Sequence, residues 1–291
     1  MTTNTTLVIG STGKTGKRIA ARLSGLGVDV RHGSRSSIPP FDWQQPGTWP
    51  QALDGVRAAY VAYSPDLAAP GSVAAIGELV SLARAFGVRR LVLLSGRGEA
   101  EAARAEDVVR ASGLEWTIIR ATWFSQNFSE GNFAADVVSG TVALPVGDVL
   151  EPFVDADDIA AVAVAALTEV RHVGQTYELT GPRLLTFAGA VAEISEVTGR
   201  DVRFSPVSMD DYAGLLAENQ VPHEVIDLLR YLFTTVLDGR NSSLTDGVRR
   251  ALGREPRDFR DFARDAAARG AWPQLNAGMT SRSNNSMSER S

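Results

Sequence analysis

Residues 7–23 decide the fold, and they read Leu7-Val8-Ile9-Gly10-Ser11-Thr12-Gly13-Lys14-Thr15-Gly16-Lys17-Arg18-Ile19-Ala20-Ala21-Arg22-Leu23. A short apolar run leads into a glycine-rich turn, and apolar residues at helical spacing follow it. Strand, glycine turn and helix in this order form a dinucleotide site, because the N–H groups at the start of the helix face the phosphates. The expected cofactor contacts in the turn are Gly10, Ser11, Thr12, Gly13, Lys14, Thr15 and Gly16.

The three glycines of this turn follow the spacing G-x-x-G-x-x-G, a departure from the strict G-x-G-x-x-G pattern. Gly10 permits the tight turn, Gly13 lets a pyrophosphate approach the backbone, and Gly16 lets the helix pack closely on the strand. An ordinary glycine-rich turn is the alternative, but the flanking strand and helix favour binding. A P-loop is excluded, because only two residues separate Gly10 from Gly13 where that motif needs four.

The composition bounds the class of protein. With 291 residues, 44% of them hydrophobic, the chain can form one large domain with a cap. The net charge of −5 argues against a nucleic-acid partner, and the absence of cysteine excludes disulfides and thiolate catalysis. Three scattered histidines predict no metal site, and no long apolar span or signal-peptide region is seen. We expect a soluble cytoplasmic monomer or homodimer that binds a small-molecule substrate, with no nucleic-acid or membrane partner.

The second strand is expected at residues 28–33, and it runs into Ser34-Arg35-Ser36-Ser37. An NAD enzyme usually carries an acidic residue near this strand end to bind the ribose 2′-hydroxyl, and none is present here. An arginine beside hydroxyl groups suits a 2′-phosphate instead. The sequence therefore favours NADP(H), with Arg35 and Ser36 as contacts. A solvated loop arginine is the alternative.

Strand and helix patterns alternate over roughly the first 120 residues, which is typical of a parallel sheet with helices on both faces. The predicted elements are strands at 56–63, 90–96 and 116–120 and helices at 73–85 and 99–111. We therefore predict an α/β fold, a Rossmann doubly wound parallel sheet, with a small, mostly helical C-terminal substrate cap.

Ligands of such a sheet bind at the carboxyl ends of its strands. This places further cofactor contacts at Ala62, Ser95 and Thr122. Asp42, within Phe41-Asp42-Trp43, lies at the next expected strand end. Its carboxylate could reach the adenine edge or could cap a turn, and the sequence leaves both roles open.

The second half of the chain is less regular. A helix is expected from about residue 153 to 167, and the aspartates in its first turn, Asp155, Asp157 and Asp158, are interpreted as caps rather than metal ligands. Further helices are expected at 186–198 and, as a pair, at 209–236. We assign residues 1–272 to the Rossmann domain with its cap, which comes mainly from 125–150 and 200–245, and residues 273–291 to a disordered tail.

The accumulated motifs resemble the NmrA-like branch of the atypical short-chain dehydrogenase/reductase superfamily, with ergot-alkaloid reductases of the agroclavine dehydrogenase and festuclavine synthase type as the closest resemblance. It extends over roughly residues 5–265 and implies a Rossmann core with a small cap and NADP(H) at the glycine turn and Arg35. The branch mixes reductases, quinone reductases and non-catalytic redox sensors. The matching stretches are 10–16, 34–37, 41–43, 91–95, 116–130, 152–160, 177–182, 198–200 and 253–259.

The Tyr-x-x-x-Lys pair of typical short-chain dehydrogenases is absent. No tyrosine lies between Tyr63 and Tyr177, and no lysine follows Lys17. Three interpretations follow: a substrate that needs little acid catalysis, such as an iminium, quinone or enone; another side chain as proton donor; or a redox sensor without turnover. Candidate donors are Ser95, Tyr63, Glu99 and Arg97, of which we assign Ser95 and Tyr63 as catalytic.

Residues after the fifth strand could form a substrate wall, in which aromatic rings stack a planar ring and amides orient it. They could equally belong to the core, since Phe124 and Phe128 are four residues apart. The proposed wall residues are Trp123, Gln126, Asn127 and Phe128. The sequence thus predicts an NADPH-dependent reductase of a small electrophilic metabolite, and the alternative is a non-catalytic NADP(H)-binding redox sensor or regulatory protein.

Overall fold

The first strand, β1 (Thr5–Ile9), is buried along its whole length and occupies an inner position in a sheet. Its apolar side chains contact helices on both faces, as a near-continuous apolar run requires. The computed structural model describes residues 5–131 and 133–273. The remaining strands in these ranges are β2 (Val30–Gly33), β3 (Val56–Val61), β4 (Arg90–Gly96), β5 (Glu115–Ala121), β6 (Thr141–Leu144), β7 (Gln175–Leu179) and β8 (Arg203–Pro206).

The α-helices within the described ranges flank these strands. They are α1 (Lys14–Gly25), α2 (Trp49–Leu53), α3 (Ser72–Ala85), α4 (Ala100–Arg110), α5 (Asn127–Glu130), α6 (Ala134–Ser139), α7 (Ala156–Thr168), α8 (Phe187–Thr198), α9 (Met209–Glu218), α10 (His223–Tyr231), α11 (Gly247–Leu252) and α12 (Phe259–Ala268). A π-helical segment, Leu232–Val236, continues α10, and short 3₁₀ turns occur at Pro46–Thr48 and Val170–His172.

Six strands form one parallel sheet in the order β2-β1-β3-β4-β5-β7. The strand order reverses beside β1, which opens a crevice at the carboxyl edge between β1 and β3. One apolar core joins the sheet to α2, α3 and α4, and a second joins its other face to α1, α7 and α11. These three layers confirm the predicted doubly wound α/β fold.

A third apolar core forms the cap and lies beyond the carboxyl edge of the sheet. It packs helices α6, α8 and α12 with the two-stranded parallel sheet of β6 and β8. Aromatic rings dominate its centre, with Phe153 and Phe187 5.0 Å apart between centroids. The mostly helical cap predicted from sequence is present. Its small sheet, and the part that α8 and α12 take in it, were not predicted.

The start of α7 confirms the capping interpretation of the aspartates. The Asp155 side chain accepts a hydrogen bond from the Asp157 backbone N–H at 2.8 Å, an N-cap contact. Asp157 pairs with Arg22 of α1 at 2.9 Å, and Asp158 pairs with Arg254 at 2.6 Å. The cluster therefore fixes the start of α7 against α1 and the C-terminal region.

One prediction about the elements was wrong, one strand was missed, and one prediction lies outside the described ranges. Phe41–Trp43 is not a strand end, because it forms a loop whose two aromatic rings pack together over the β1–β3 edge. The sixth strand, β7, was not assigned from sequence. The predicted tail from 274 onward lies outside the described residues, and the domain boundary stays a prediction. No helix within residues 5–131 and 133–273 is long and apolar enough to cross a bilayer.

Candidate functional site

The glycine turn between β1 and α1 is as tight as its sequence indicates. Gly10 adopts φ +77°, which favours glycine. A methyl group on Gly16 would lie 2.1 Å from the Gly10 carbonyl oxygen, so only glycine lets α1 approach β1 this closely. Gly13 is the N-cap residue of α1, and no side chain caps the helix there. The first N–H groups of α1 therefore remain available to an anion.

Ser11 supplies an independent indication of a ligand at this turn. Its side chain is 5% exposed, and its hydroxyl oxygen is buried without a hydrogen-bond partner among the described residues. A buried hydroxyl without a partner is unfavourable unless a ligand or water satisfies it. The turn residues thus fit the phosphates of a dinucleotide, which Ser11 and the N–H groups of α1 would hold.

The loop after β2 carries the cation predicted for a 2′-phosphate. Arg35 is exposed, and its guanidinium makes no hydrogen bond or ion pair within the described ranges. Ser36 and Ser37 line a groove that also contains Ser11 and Thr12 of the glycine turn. The structure therefore brings this loop beside the glycine turn, as the sequence indicated, although Arg35 itself does not line the groove.

Asp42 acts as a turn cap. Its carboxylate accepts hydrogen bonds from the Gln44 backbone N–H at 3.0 Å and from the Gln45 side-chain amide at 3.2 Å. Of the two roles left open by the sequence, the structure provides this one. Asp42 lines neither the groove nor the cleft described next, so the structure does not bring it to the predicted cofactor site.

A cleft of about 440 Å³ opens at the carboxyl edge of the sheet, between the glycine turn and the cap. It gathers most of the residues that the sequence predicted for cofactor, catalysis and substrate. These are Gly10, Thr12, Gly13, Lys14, Thr15, Ala62, Tyr63, Ser95, Thr122, Trp123 and Asn127. Ser64, Pro65, Asp66, Leu67, Leu94, Gly96, Arg97, Glu99, Ala121, Phe124, Glu151, Leu232, Val236 and Asn241 complete its lining.

Ser95, one of the two predicted catalytic residues, lies at the end of β4, and its hydroxyl proton is used in a hydrogen bond. Its hydroxyl donates to the carboxylate of Glu106 at 2.6 Å. Glu106 is fully buried and also binds Arg110 and Arg120, each at 2.7 Å. The Ser95 proton therefore belongs to an ionic network beneath the cleft, and in this arrangement it is not free to reach a substrate.

Tyr63, the other predicted catalytic residue, lies just after β3, the strand that pairs with β4. Its ring packs against Trp43 at 4.7 Å between centroids. Its hydroxyl has no hydrogen-bond partner in the part of the chain that the structure describes. Burial raises the pKa of Tyr63, so the phenol stays protonated at neutral pH.

Two other polar residues of the cleft differ in how freely they can meet a ligand. The Thr122 hydroxyl donates to the Pro152 carbonyl at 2.8 Å, which leaves mainly its oxygen for a ligand. Lys14 is half-buried and makes no ion pair within the described ranges. Burial lowers the pKa of Lys14, while the nearby Glu130 opposes that shift. Lys14 is thus the cleft's unpaired cation at the glycine turn.

The predicted substrate wall is divided by the structure. Trp123 and Asn127 line the cleft, but Gln126 and Phe128 do not. The Gln126 amide is 1% exposed and is consumed in the cap of α7, where it donates to Asp155 at 2.7 Å. Phe128 is fully buried among the rings of the third core. The prediction that Gln126 and Phe128 form part of the substrate wall was therefore wrong. Both residues stabilise the fold instead.

Three acidic side chains lie in the cleft without a lysine partner, and sequence reasoning missed Asp66 and Glu151. Burial raises the pKa of Glu99 to about 9, with the charges of Asp66 and Glu106 adding to the effect. Burial also raises the pKa of Glu151 to about 7, despite a hydrogen bond from the Trp123 N–H and the charge of Arg97. The available signal for Asp66 was its position in the loop that follows β3, at the edge where ligands bind.

The sequence matches two family models. Residues 10–170 match the family described as NAD(P)H-binding, and residues 100–261 match the NmrA-like family. Each match covers more than half of the chain, and together they extend from the glycine turn through the cap.

Two relatives share about a third of their residues with this chain over nearly its whole length. Agroclavine dehydrogenase of Claviceps fusiformis is 31% identical over 284 residues, covering 90% of this chain and 96% of the relative. The (4-alkanoyl-5-oxo-2,5-dihydrofuran-3-yl)methyl phosphate reductase of Streptomyces griseus is 32% identical over 291 residues, covering 90% and 97%.

Solved structures share the fold at lower identity. The triphenylmethane reductase of Citrobacter sp. complexed with NADP(H) superposes with a TM-score of 0.70 at 21% identity, covering 90% of this chain and 99% of that one. NmrA, a negative transcriptional regulator crystallised with NAD, superposes with a TM-score of 0.67 at 17% identity, covering 93% and 98%. This architecture thus occurs in an enzyme and in a transcriptional regulator.

Proposed function

The chain belongs to the NAD(P)H-binding and NmrA-like families, and from that premise we propose that it is an NADPH-dependent reductase. It transfers hydride to a small electrophilic metabolite of the iminium, quinone or enone type. It does so without a Tyr–Lys pair, since its only lysines are Lys14 and Lys17 in the first helix.

The observation that carries the proposal is the common cleft. The glycine turn and the wall formed by Tyr63, Ser95 and Trp123 face the same cavity, so a nicotinamide anchored at the turn and an acceptor at the wall can meet. When bound, the reduced nicotinamide supplies the hydride. The chain's own residues anchor the phosphates, hold the acceptor and exclude water.

The preference for NADPH over NADH is supported by the loop after β2. Arg35 is free of intramolecular partners among the described residues, and Ser36 faces the groove beside the glycine turn. The acidic residue that lines the same groove, Asp29, is bonded to the Thr5 hydroxyl at 2.5 Å. A 2′-phosphate in the groove would therefore meet serine hydroxyl groups, and the free Arg35 guanidinium would have to turn toward it from the same loop.

Relatives support reduction as the reaction. The Claviceps fusiformis relative is named a dehydrogenase, and the Streptomyces griseus relative is named a reductase of an oxo-dihydrofuran, an enone-type acceptor. In an enone the electrophilic carbon is activated by conjugation, and in an iminium it is activated by charge. Either form of activation reduces the need for a strong acid. The remaining expectations, a cytoplasmic location and a monomer or homodimer, stay predictions.

The test is NADPH oxidation by the purified protein with an iminium, a quinone, an enone and a plain ketone, while NADPH fluorescence reports binding. We expect turnover of one or more of the first three and none of the ketone. Good turnover of the ketone would show that the absent Tyr–Lys pair has been replaced by a strong acid. Binding without any turnover would favour the sensor alternative, and no binding would refute the proposal at the glycine turn.

A further inference from the structure

Glu99 occupies an unusual position at the start of α4. It is the N-cap residue, but its side chain makes no capping hydrogen bond. Its carboxyl group instead lies against the backbone of Gly96, where a methyl group on that residue would be 2.0 Å from Oε1 and 2.1 Å from Oε2. Gly96 ends β4 and lines the cleft with Glu99. The glycine therefore makes room for a carboxyl group at the strand end where ligands bind.

The cap holds this segment in place. Arg97 donates to the Asn241 carbonyl, and the Asn241 amide donates back to the Arg97 carbonyl, both at 3.0 Å. The N–H of Ala100 donates to the Tyr231 hydroxyl at 3.4 Å. Glu99 lies between these contacts, so its backbone is fixed on both sides. Such double anchoring is what a precisely aimed functional group requires.

The carboxyl group itself has no partner. Neither oxygen makes a hydrogen bond or ion pair within residues 5–131 and 133–273, and Oε2 is buried. A buried carboxylate without a cation is costly, whereas a carboxylic acid is not. Burial, with the charges of Asp66 and Glu106 adding to its effect, raises the pKa of Glu99 to about 9.

The nearby cations do not neutralise Glu99. Arg97 pairs with Glu178 at 3.3 Å, and Lys14 lies toward Glu130 and Gly131 at the other end of the cleft. The titratable and charged groups that line the cleft or contact the Glu99 segment are Lys14, Tyr63, Asp66, Arg97, Glu106, Glu151, Tyr231 and Arg240. None of them is bonded to the Glu99 carboxyl group.

We propose that Glu99 is the proton donor of this reductase: its neutral carboxylic acid protonates the oxyanion that hydride addition leaves on a conjugated carbonyl acceptor. The inference rests on the proposed function and narrows its substrate class to enones and quinones. An iminium becomes a neutral amine on gaining hydride and has no use for this proton.

The step balances as follows for an enone. The β carbon gains a hydride and its electron pair from the reduced nicotinamide, which is oxidised. The electrons of the carbon–carbon double bond shift to form the enolate, whose oxygen takes the proton as the O–H bond of Glu99 breaks. The enol then becomes the saturated ketone, and the Glu99 carboxylate regains a proton from water. The acceptor is reduced by two electrons overall.

Other candidates in the cleft are less suited to this role. The Ser95 proton is donated to Glu106, as described above. The Tyr63 phenol is intrinsically a weaker acid than a carboxyl group, and burial raises its pKa further. Glu151 already accepts from the Trp123 N–H at 3.2 Å. Glu99 combines a carboxyl group without a partner among the described residues, a place in the cleft and a raised pKa that keeps it protonated at neutral pH.

The kinetic test compares Glu99→Gln with Glu101→Gln, a matched control two residues along the same chain segment that pairs with Arg104 outside the cleft. The acceptors are a butenolide and an N-methyl dihydroisoquinolinium iminium. At pH 7 we expect Glu99→Gln to lower kcat on the butenolide about 100-fold, the range of general acid catalysis, and iminium reduction to change by less than about threefold. The control should stay within about twofold on both.

The pH profile tests the same assignment. Because the acid form is active, wild-type butenolide reduction should fall as the pH rises through about 9. Asp66→Asn removes the negative neighbour and should move that fall to lower pH. The descending limb should be absent from the residual activity of Glu99→Gln.

An infrared difference spectrum provides a readout without substrate. Wild type minus Glu99→Gln at pH 7 should show the carbonyl stretch of a protonated carboxylic acid, which disappears above about pH 9. Absence of that band, or equal butenolide rates in wild type and Glu99→Gln, overturns the inference while the proposed function stands. If the wild type binds NADPH and turns over no acceptor, the proposed function fails and the inference falls with it.

Discussion

The cofactor half and the substrate half of the proposed site are built in different ways. The cofactor half, residues 10–16 and 34–37, comes from two short continuous segments at the ends of β1 and β2. The substrate half combines residues 63–66, 95–99 and 121–127, at the ends of three adjacent strands, with residues 151 and 232–241 from later in the chain. Binding of the nucleotide is therefore a local property of the sequence, whereas the choice of acceptor depends on the tertiary fold.

The largest expected effect separates the core of the cap from the wall of the cleft. Phe128→Ala should lower the free energy of unfolding by about 3–5 kcal/mol, because it empties a fully buried aromatic site. Urea unfolding measures the loss, and the NADPH Kd should remain unchanged if the halves are independent. Trp123→Ala is the counterpart at the cleft. Trp123→Ala should lower the free energy of unfolding by less than Phe128→Ala does, and it should raise the KM of the acceptor about tenfold. An equal KM for wild type and Trp123→Ala would contradict the assignment of that ring to the wall.

The next effect concerns the pH dependence of stability in the substrate half. Glu151 is 1% exposed and its pKa is raised to about 7, so the folded state holds a proton that the unfolded chain has released above about pH 4.5. The stabilising contribution of this proton is therefore fully present below about pH 4.5 and is lost as the pH rises through about 7. Glu151→Gln keeps an acceptor for the Trp123 N–H and should be more stable than wild type at pH 8 by about 3 kcal/mol.

Urea unfolding of both proteins at pH 5 and pH 8 measures whether Glu151→Gln is more stable than wild type at the higher pH. Glu78→Gln, at an exposed site on α3, is the control and should show no comparable gain. A Glu151→Gln protein that is less stable at pH 8 than wild type would show that the carboxylate is favourable in the fold.

Arg35 tests the preference of the cofactor half for NADPH over NADH. Arg35→Ala should raise the NADPH Kd about tenfold to 100-fold and leave the NADH Kd unchanged, since a charged hydrogen bond to the 2′-phosphate contributes about 1.5–3 kcal/mol. Fluorescence titration with both nucleotides measures the ratio. Arg57→Ala, at another exposed arginine, should change neither value. Equal losses for NADPH and NADH would remove the basis for the NADPH preference.

Gly16 tests whether the turn tolerates any side chain. Gly16→Ala places a methyl group 2.1 Å from the Gly10 carbonyl oxygen, so α1 must shift, at a cost of about 1–3 kcal/mol and with weaker binding of NADPH. Gly25→Ala, in the same helix with no atom within 4 Å, should instead be neutral or stabilising. If the two variants behave alike, close packing at Gly16 is not what the turn requires.

The sequence predicted the cofactor half well because its signals are local. The apolar run of β1, the spacing of Gly10, Gly13 and Gly16, and the apolar strands β3, β4 and β5 all follow from short-range periodicity. The position of Arg35 could be predicted because it directly follows β2. The strand expected at Phe41–Trp43 failed, and with it the placement of Asp42 at the cofactor site, because these residues form a loop.

The substrate half could not be predicted to the same degree. Phe128 and Trp123 are both aromatic and only five residues apart, and no local pattern tells which ring faces the core. Gln126 was assigned to the wall because the sequence does not reveal that Asp155, far along the chain, consumes its amide. Asp66 and Glu151 come together with Glu99 only through the sheet and the cap, so their shared electrostatics are a property of the fold alone.

The most direct test of the account is the fate of the hydride. The protein would be incubated with a butenolide and NADPH deuterated at the hydride-donating carbon, and the product would be examined by NMR. We expect one deuterium at the β carbon of the saturated product, with the proton at the α carbon derived from solvent. Nucleotide binding with no deuterium in any product would contradict it and would favour a protein that senses the nucleotide without using it.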